Sequence, residues 1–463
     1  MELKDKCGLF GVYNSPTASK DIYLGLYAQQ HRGQESAGMV VCSEDGSFNV
    51  HKGIGLVTNV FNESTIEKLK GGFGIGHVRY STSGDTDIKN IQPIVVSYRN
   101  NVLGLAHNGN LINALRLREE LEDKGSIFTT TSDTEVMLHK IVKSQKVKPV
   151  DKIVEGLYGV EGAFSILLLF EMGIAAVRDP WGFRPLFFGK RDDSFYFASE
   201  TCAFDLLGVN DYREVEPGEG YYISEKRIEK FRLLSFARRC LCIFELIYFS
   251  RPDSTYKGSS IHNYRLKLGM QLYKDQKAEA DMVISVPDSS NSAALGYSLA
   301  SGIPFNIVMI RSHYTGRTFI APYQSIRDFK VKKKFNIIKD VVKDKRVVVV
   351  DDSIVRGTTA KKIVKLIRES GAKEIHLRIA SPMIRYPCYF GIDMPDFNEL
   401  FVNKIPSDKF NGYIGADSIG YLKLESLQSI FGNKFCKACF DGQYPMEIKN
   451  IEDTLIKKTK QGR

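Results

Sequence analysis

The chain has 463 residues, enough for roughly two to four domains at about 100–200 residues each. Hydrophobic residues make up 43 % and charged residues 25 %, an ordinary globular composition, and no run approaches the ~18 apolar residues that a membrane helix needs. The formal net charge of +10 favours anionic partners, but the basic residues are spread out, and no basic helix with interleaved aromatics points to nucleic acid; a phosphorylated small substrate explains the charge at least as well.

Residues 1–6 are too short and too charged for a signal peptide, so a cytoplasmic protein is expected. Its eight cysteines are then expected to serve as metal ligands, nucleophiles or core thiols rather than as disulfides. Cys7 follows, in Cys7-Gly8-Leu9-Phe10-Gly11-Val12. If residues 1–6 are removed, Cys7 carries a free α-amine with a pKa near ~7.7–8.0, which can accept the thiol proton without a partner His. Taken alone, Cys7 reads more readily as a buried thiol opening a strand, since free cysteine is among the most buried residue types.

Up to about residue 235, short strand-like runs are punctuated by glycine: Phe73–Tyr80, Val102–Ala106, Ser165–Phe170, Ile174–Val177 and Phe195–Ala198, with helices over Leu111–Leu121 and Thr134–Val142. Polar segments interrupt these runs at Gln30–Gly38, Gly76–Thr82, His107–Asn110 and Ser132–Glu135. Each has a plain reading: Arg79 in a surface ion pair, Asn108-Gly109 as a turn, Asp133 as a helix cap. His31 and His77 read as structural. Cys42 and Cys202 read as core thiols.

After about residue 255, strands alternate with helices: helix Ser259–Asp275, strand Met282–Val286, helix Ala293–Ser301, strand Phe305–Met309, strand Arg346–Val350, helix Ala360–Ser370 and strand Glu374–Ala380. That alternation predicts a parallel sheet covered by helices, and Val347–Val350 is uniformly apolar, as a doubly buried strand should be. Asp351-Asp352-Ser353 follows that strand, where ligands bind in open parallel sheets. Arg356-Gly357-Thr358-Thr359 then leads into a helix whose N–H groups suit phosphate. Cys436-x-x-Cys439 lies near the C-terminus, with Cys242 and Cys388 far upstream. Four thiolates hold either zinc or an iron–sulfur cluster, and spacing alone does not separate them.

In this order, Cys7, Arg79, Asn108-Gly109 and Asp133 resemble the glutaminase domain of the N-terminal-nucleophile (Ntn) amidotransferases. The resemblance implies that Cys7 attacks the glutamine amide, that Asn108 and the Gly109 N–H form the oxyanion hole, that Arg79 pairs with the glutamine α-carboxylate, and that Asp133 binds its α-ammonium. Asp351–Thr359 resembles the phosphoribosylpyrophosphate (PRPP) motif of type I phosphoribosyltransferases. It implies that Asp351, Asp352, Ser353, Arg356, Gly357, Thr358 and Thr359 bind PRPP and that Asp351, Asp352 and Ser290 hold Mg²⁺. Ile310–Lys334 resembles the flexible loop that closes over PRPP.

Together the two halves resemble the amidophosphoribosyltransferase family, of its propeptide-bearing, iron–sulfur type, over nearly the whole chain. This implies a propeptide (residues 1–6), a four-layer αββα Ntn domain (7–235) and an α/β phosphoribosyltransferase domain with a parallel sheet (236–463). It implies Cys242, Cys388, Cys436 and Cys439 as ligands of a structural [4Fe–4S] cluster, with Cys242 preferred over Cys240 for its Ile-Phe-Glu context. It further implies a dry passage for ammonia with Tyr248 beside it, a homotetramer or homodimer, and feedback inhibition by purine nucleotides. The Pro287–Asn291 loop departs from the glycine-containing form of other phosphoribosyltransferases. A different synthase with a similar glutaminase half lacks a use for the Asp351–Thr359 motif. A PRPP-binding regulator has no need of an intact set around Cys7.

Overall fold

The computed structural model describes residues 7–80, 88–99, 101–234, 238–312, 335–394 and 396–448. The expected propeptide, Ser81-Thr82 and most of the expected PRPP loop lie outside the described residues. The chain forms two compact units. The first runs to Cys242 and takes in Cys388–Asp393 and the segment from Tyr444; the second holds Ile243–Pro387 and Met394–Gln443. No described helix is long and apolar enough to cross a membrane.

The two large sheets of the first unit are built, among its described residues, from thirteen strands: β1 (Gly8–Tyr13), β2 (Ser36–Cys42), β3 (Phe48–Ile54), β4 (Phe73–Arg79), β5 (Ile94–Tyr98), β6 (Asn101–Leu111), β7 (Gly162–Phe170), β8 (Gly173–Arg178), β9 (Phe187–Arg191), β10 (Ser194–Ala198), β11 (Asp211–Glu214), β12 (Glu219–Ser224) and β13 (Arg227–Arg232). They make two antiparallel sheets, in the orders β11-β9-β10-β1-β4-β2-β3 and β13-β12-β8-β7-β6-β5. Side chains alternate across each strand, and this sorts the core into layers. Leu9, Val40 and Ile75 of one sheet meet Leu167, Leu169 and Ile174 of the other. Phe10 and Val12 point the opposite way, onto Ile22 and Leu26 of helix Ala18–Ala28 and Phe204 of helix Cys202–Leu207. Ile166 and Leu168 face Met137 and Ile141 of helix Asp133–Lys143 and Ile153 of helix Pro149–Leu157. The result is helix, sheet, sheet, helix. β7 is buried along its whole length because both its faces are covered.

In the second unit, strands Met282–Ser285, Arg346–Asp351, Glu374–Ile379 and Ser418–Tyr421 run parallel in that order. Val347 and Val349 pack with Ile363, Val364 and Ile367 of helix Thr358–Glu369. Helix Asn291–Ser301 lies over the first two strands and contributes buried Ala294 and Tyr297. Helix Ile261–Asp275 packs against it closely enough that a Cβ on Gly269 would come 1.8 Å from the Ala293 carbonyl oxygen.

Two expected elements differ. Phe305–Met309 does not form a sheet strand. Phe305 makes one parallel bridge to Val283, Ile307 is 71 % exposed, and Met309–Arg311 pairs instead with Phe335–Ile337. An apolar run propagates as a buried strand only while both faces stay covered. The helix expected from Leu111 begins at Ala114, because β6 continues to Leu111 in register with β7.

Candidate active sites

In the first unit, the sequence places Cys7 directly before β1, and Gly8 pairs with Val78, so Cys7 stands opposite Arg79 at the end of β4. The Cys7 Sγ–H points to the Tyr80 carbonyl at 3.8 Å. Its own carbonyl accepts from Arg32 Nε at 2.9 Å. Arg32 is fully buried and ion-paired with Glu200, which also binds His31 Nε2 at 2.8 Å. Burial raises the Glu200 carboxyl, but interactions with His31 and with the Arg32 guanidinium outweigh it and hold Glu200 well below the usual carboxylate range. Arg32 thus ties the main chain at Cys7 to Glu200, and His31 bonds the same carboxylate.

Arg79 is 6 % exposed, and its guanidinium makes no hydrogen bond or ion pair among the described residues. It is a buried cation without a counter-ion, an arrangement that is costly unless an anion arrives. Asn108 and Gly109 lie in β6, not in a turn, opposite Ser165 and Phe164 of β7. Asn108 Nδ2 is buried and has no partner among the described residues. Gly109 has φ +150°, and a Cβ there would sit 1.9 Å from the Ala163 carbonyl oxygen, so only glycine fits. Asp133 opens helix Asp133–Lys143, but the cap is Ser132, whose hydroxyl accepts from Thr134 N. Asp133 is left to accept from Leu111 N at 3.0 Å and to face His107 Nδ1 at 3.5 Å. Burial pushes its carboxyl upward, yet His107 and the N–H groups of Leu111 and Thr134 together hold it below the ordinary value.

His77 joins the two sheets through Nε2 to the His107 carbonyl at 3.0 Å. Burial, aided by the Arg79 charge, pushes its pKa down from 6.5 to about 3. The unfolded imidazole therefore takes up a proton near pH 6.5, and the folded one resists until about pH 3. The stability that neutral His77 contributes is complete above that window and is lost as the pH falls through it. We expect the melting temperature to drop with pH from 6.5 towards 3, and His77→Gln, which keeps the donor but cannot charge, to flatten that dependence. An unchanged pH profile in the variant would remove His77 as the cause.

The second unit's site lies at the carboxyl ends of its parallel strands. Asp351 closes strand Arg346–Asp351, and Asp352, Ser353, Arg356, Gly357 and Thr359 line one pocket with Tyr248, Pro287 and Ser289. Gly357 caps helix Thr358–Glu369 at φ +74°, where a Cβ would press on the Phe401 ring. Thr358, behind it, is the first residue of the helix. Ser289 Oγ donates to Asp352 at 2.6 Å, and fully buried Ser290 sits with its Oγ 3.4 Å from Asp351 Oδ1. Arg356 also pairs with Glu399 at 2.9 Å. In the Pro287–Asn291 loop, the serine in contact with the acidic pair's second carboxylate is Ser289, a hydroxyl that sequence alone does not rank above its neighbours. Tyr248 stands in the pocket wall.

Two carboxylates and a hydroxyl are hard oxygen donors that fit Mg²⁺, which commonly takes one or two carboxylates and completes its shell with water and substrate phosphate. Among the described residues no group of three or more His, Cys, Asp or Glu side chains is gathered closely enough to hold a metal by itself. Of the four cysteines, Cys242 and Cys388 belong to the first unit and Cys436 and Cys439 to the second. All eight cysteines are free of disulfides. The Phe390 N–H donates to Cys388 Sγ at 3.4 Å, a bond of the kind that supports a metal-bound thiolate.

Comparison with known proteins places the whole chain beside one group of enzymes. The family pattern of a glutamine amidotransferase domain matches residues 77–205. The chain is 48 % identical over 453 residues to amidophosphoribosyltransferase 1, chloroplastic, of Arabidopsis thaliana, covering 97 % of this chain and 80 % of that protein. It is 44 % identical over 467 residues to the amidophosphoribosyltransferase of Bacillus subtilis, covering 99 % and 98 %. The solved structure of the glutamine PRPP amidotransferase from B. subtilis complexed with ADP and GMP superposes with a TM-score of 0.90 at 44 % identity, over 96 % of this chain and 98 % of that one. A structure described as the allosteric regulatory enzyme of purine biosynthesis gives a TM-score of 0.91 at 44 % identity, over 96 % and 97 %.

Proposed function

The chain belongs to the amidophosphoribosyltransferase family, and we propose that its two sites divide the family reaction between them. That reaction takes the amide nitrogen of glutamine to PRPP. It yields 5-phosphoribosylamine, glutamate and pyrophosphate, the first committed step of purine biosynthesis.

At the first site, the Cys7 thiolate attacks the amide carbon of glutamine. The carbonyl electrons move onto oxygen, where Asn108 Nδ2 and the Gly109 N–H meet them, and the nitrogen leaves as ammonia with a proton from the thiol. Water then hydrolyses the thioester to glutamate. Arg79 receives the substrate carboxylate, for which a planar guanidinium is suited. Asp133 receives the α-ammonium. The observation that carries this half is a buried cation, Arg79, opposite Cys7 in register and lacking a counter-ion among the described residues, together with a buried amide donor, Asn108 Nδ2, lacking an acceptor among them. Glutamine brings the missing anion and the missing acceptor.

At the second site, Asp351 and Asp352 hold the ribose hydroxyls, and Ser353, Arg356, Gly357, Thr358 and Thr359 hold the 5-phosphate at the helix N-terminus. Ammonia displaces pyrophosphate from the ribose carbon. Asp351, Asp352 and Ser290 are the residues that would hold Mg²⁺, which supplies charge neutralisation to the pyrophosphate. Cys242, Cys388, Cys436 and Cys439 are the proposed ligands of a structural [4Fe–4S] cluster. A reducing, cytoplasmic compartment is proposed with it, since cysteines used as ligands and nucleophiles need to be kept from oxidation. Purine nucleotides are the proposed inhibitors, as the B. subtilis relative was solved with ADP and GMP.

The test is pyrophosphate release by protein purified without oxygen, given Mg²⁺ and PRPP, with and without glutamine, alongside iron, sulfide and zinc analysis. We expect release to require glutamine and to match glutamate formation. Release without any nitrogen donor, or none at all from fresh protein with Cys7 exposed, would overturn the reading. Zinc without iron would replace the cluster.

A further inference from the structure

The segment Cys388–Asp393 belongs to the first unit although nearly 150 residues of the second precede it in the chain. Its contacts converge on the strand that carries Asn108 and Gly109. Asn110 Nδ2 donates to the Tyr389 carbonyl at 2.9 Å, across 279 residues of sequence. Arg184, 1 % exposed, donates through Nη2 to the Phe390 carbonyl at 3.0 Å. The Phe390 ring stacks on Phe183 with centroids 4.2 Å apart and planes 14° from parallel. Gly391 has φ +95°, and a Cβ on it would fall 2.8 Å from Arg184 Nη2, 3.1 Å from the Gly109 carbonyl carbon and 3.4 Å from Asn110 N. The segment thus lies against the Gly109–Asn110 peptide with no room for a side chain. Arg184 closes the ring of contacts. Its carbonyl accepts from Ser165 Oγ at 3.1 Å, and Ser165 is the cross-strand partner of Asn108.

We propose that Cys388–Asp393 is a clamp that sets the geometry of the oxyanion donors, with Asn110 as the positioning residue through which it acts. This rests on the reading of Asn108 and Gly109 as those donors. The physical case is local. Gly109 occupies a conformation open only to glycine, so its own backbone does little to resist rotation of the flanking peptides. An oxyanion hole works only if its donors are fixed before charge develops. A neutral amide bonded to a main-chain carbonyl on one side, and a glycine packed flat on the other, supply that restraint. Asn110 touches no reacting atom on this reading, because its side chain is spent on Tyr389.

The decisive variant is Asn110→Ala, with Asn110→Asp as the isosteric partner that fills the same space but cannot donate. Glutamine hydrolysis is measured for kcat and KM, with the inhibition constant of L-glutamate γ-semialdehyde, whose thiol adduct presents an oxyanion. We expect both variants to lower kcat by roughly 10- to 100-fold, to leave KM for glutamine within about threefold, and to weaken the aldehyde in proportion. Recovery in Asn110→Asp would mean that Asn110 only fills space and would overturn the proposal. So would an Asn110→Ala enzyme within about twofold of the parent in kcat and aldehyde affinity. Should Asn110→Ala melt too low to assay, Phe390→Leu loosens the clamp without touching β6. It carries the same expectation at smaller size, and normal kcat there is equally fatal. Asn108→Ala separates the underlying reading. If it leaves glutamine hydrolysis intact, the oxyanion assignment itself fails; if it abolishes hydrolysis while Asn110→Ala does not, only the clamp fails.

Discussion

Cys7→Ser will abolish glutamine-dependent phosphoribosylamine synthesis while synthesis from ammonium salts persists. The substitution keeps the shape of the site, including the Arg32 bond to the residue-7 carbonyl, which belongs to the main chain. What it removes is the thiolate. A serine hydroxyl is far harder to ionise, so attack on an amide slows on the order of 10⁴-fold or more. The second site lies in a different unit and takes ammonia directly, so its own chemistry is untouched. The check is parallel assays with glutamine and with ammonium chloride at pH 8 or above, where free ammonia is appreciable. If both activities fell together, Cys7 would be a structural thiol. If glutamine-dependent activity survived, the nucleophile would lie elsewhere.

Asp352→Asn produces the converse pattern. Asp352 is 8 % exposed and accepts from Ser289 Oγ at 2.6 Å and Ser353 Oγ at 2.7 Å. An amide of the same shape loses the charge and turns one acceptor into a donor facing hydroxyl groups. On the proposed reading, the site would lose both its grip on the ribose and half of its carboxylate set for Mg²⁺. We expect kcat/KM for PRPP to fall by about 10²- to 10³-fold with either nitrogen source, since the loss precedes the arrival of ammonia. Alkylation of Cys7 by iodoacetamide should proceed at the parent rate. A variant that lost only glutamine-dependent synthesis would show that Asp352 does not hold PRPP.

Much of each site is written in runs short enough to be seen along the chain. Asp351 to Thr359 is one strand end, one turn and one helix start, so nine consecutive residues carry nearly all of the second site's polar wall. The uniform burial of Val347–Val350 follows from composition alone. The first site is more dispersed, yet its members keep their order because each ends or follows an apolar run: Arg79 at the end of β4, Asn108 and Gly109 late in β6, Asp133 at a helix start. What local sequence misjudged was context. His107–Asn110 has the polarity of a loop, but pairing with β7 holds it in the sheet. Phe305–Met309 has the composition of a strand, but no neighbour covers Ile307.

The sequence by itself determined the chemistry available: a thiol near the start, a guanidinium, an amide beside a glycine, paired carboxylates before a Gly-Thr-Thr turn. Residue type is a local property, and so is the periodicity that tells a sheet-rich half from an alternating one. Only the tertiary structure decided which polar groups were left unpaired. Among the described residues, Arg79 without a counter-ion and Asn108 without an acceptor are facts about what packs around them. The same holds for the return of Cys388–Asp393 to the first unit, where Asn110 meets a carbonyl 279 residues away. A hydrogen bond of that span leaves no periodicity and no composition, because its partners share no segment; it exists only once the rest of the chain has closed the distance.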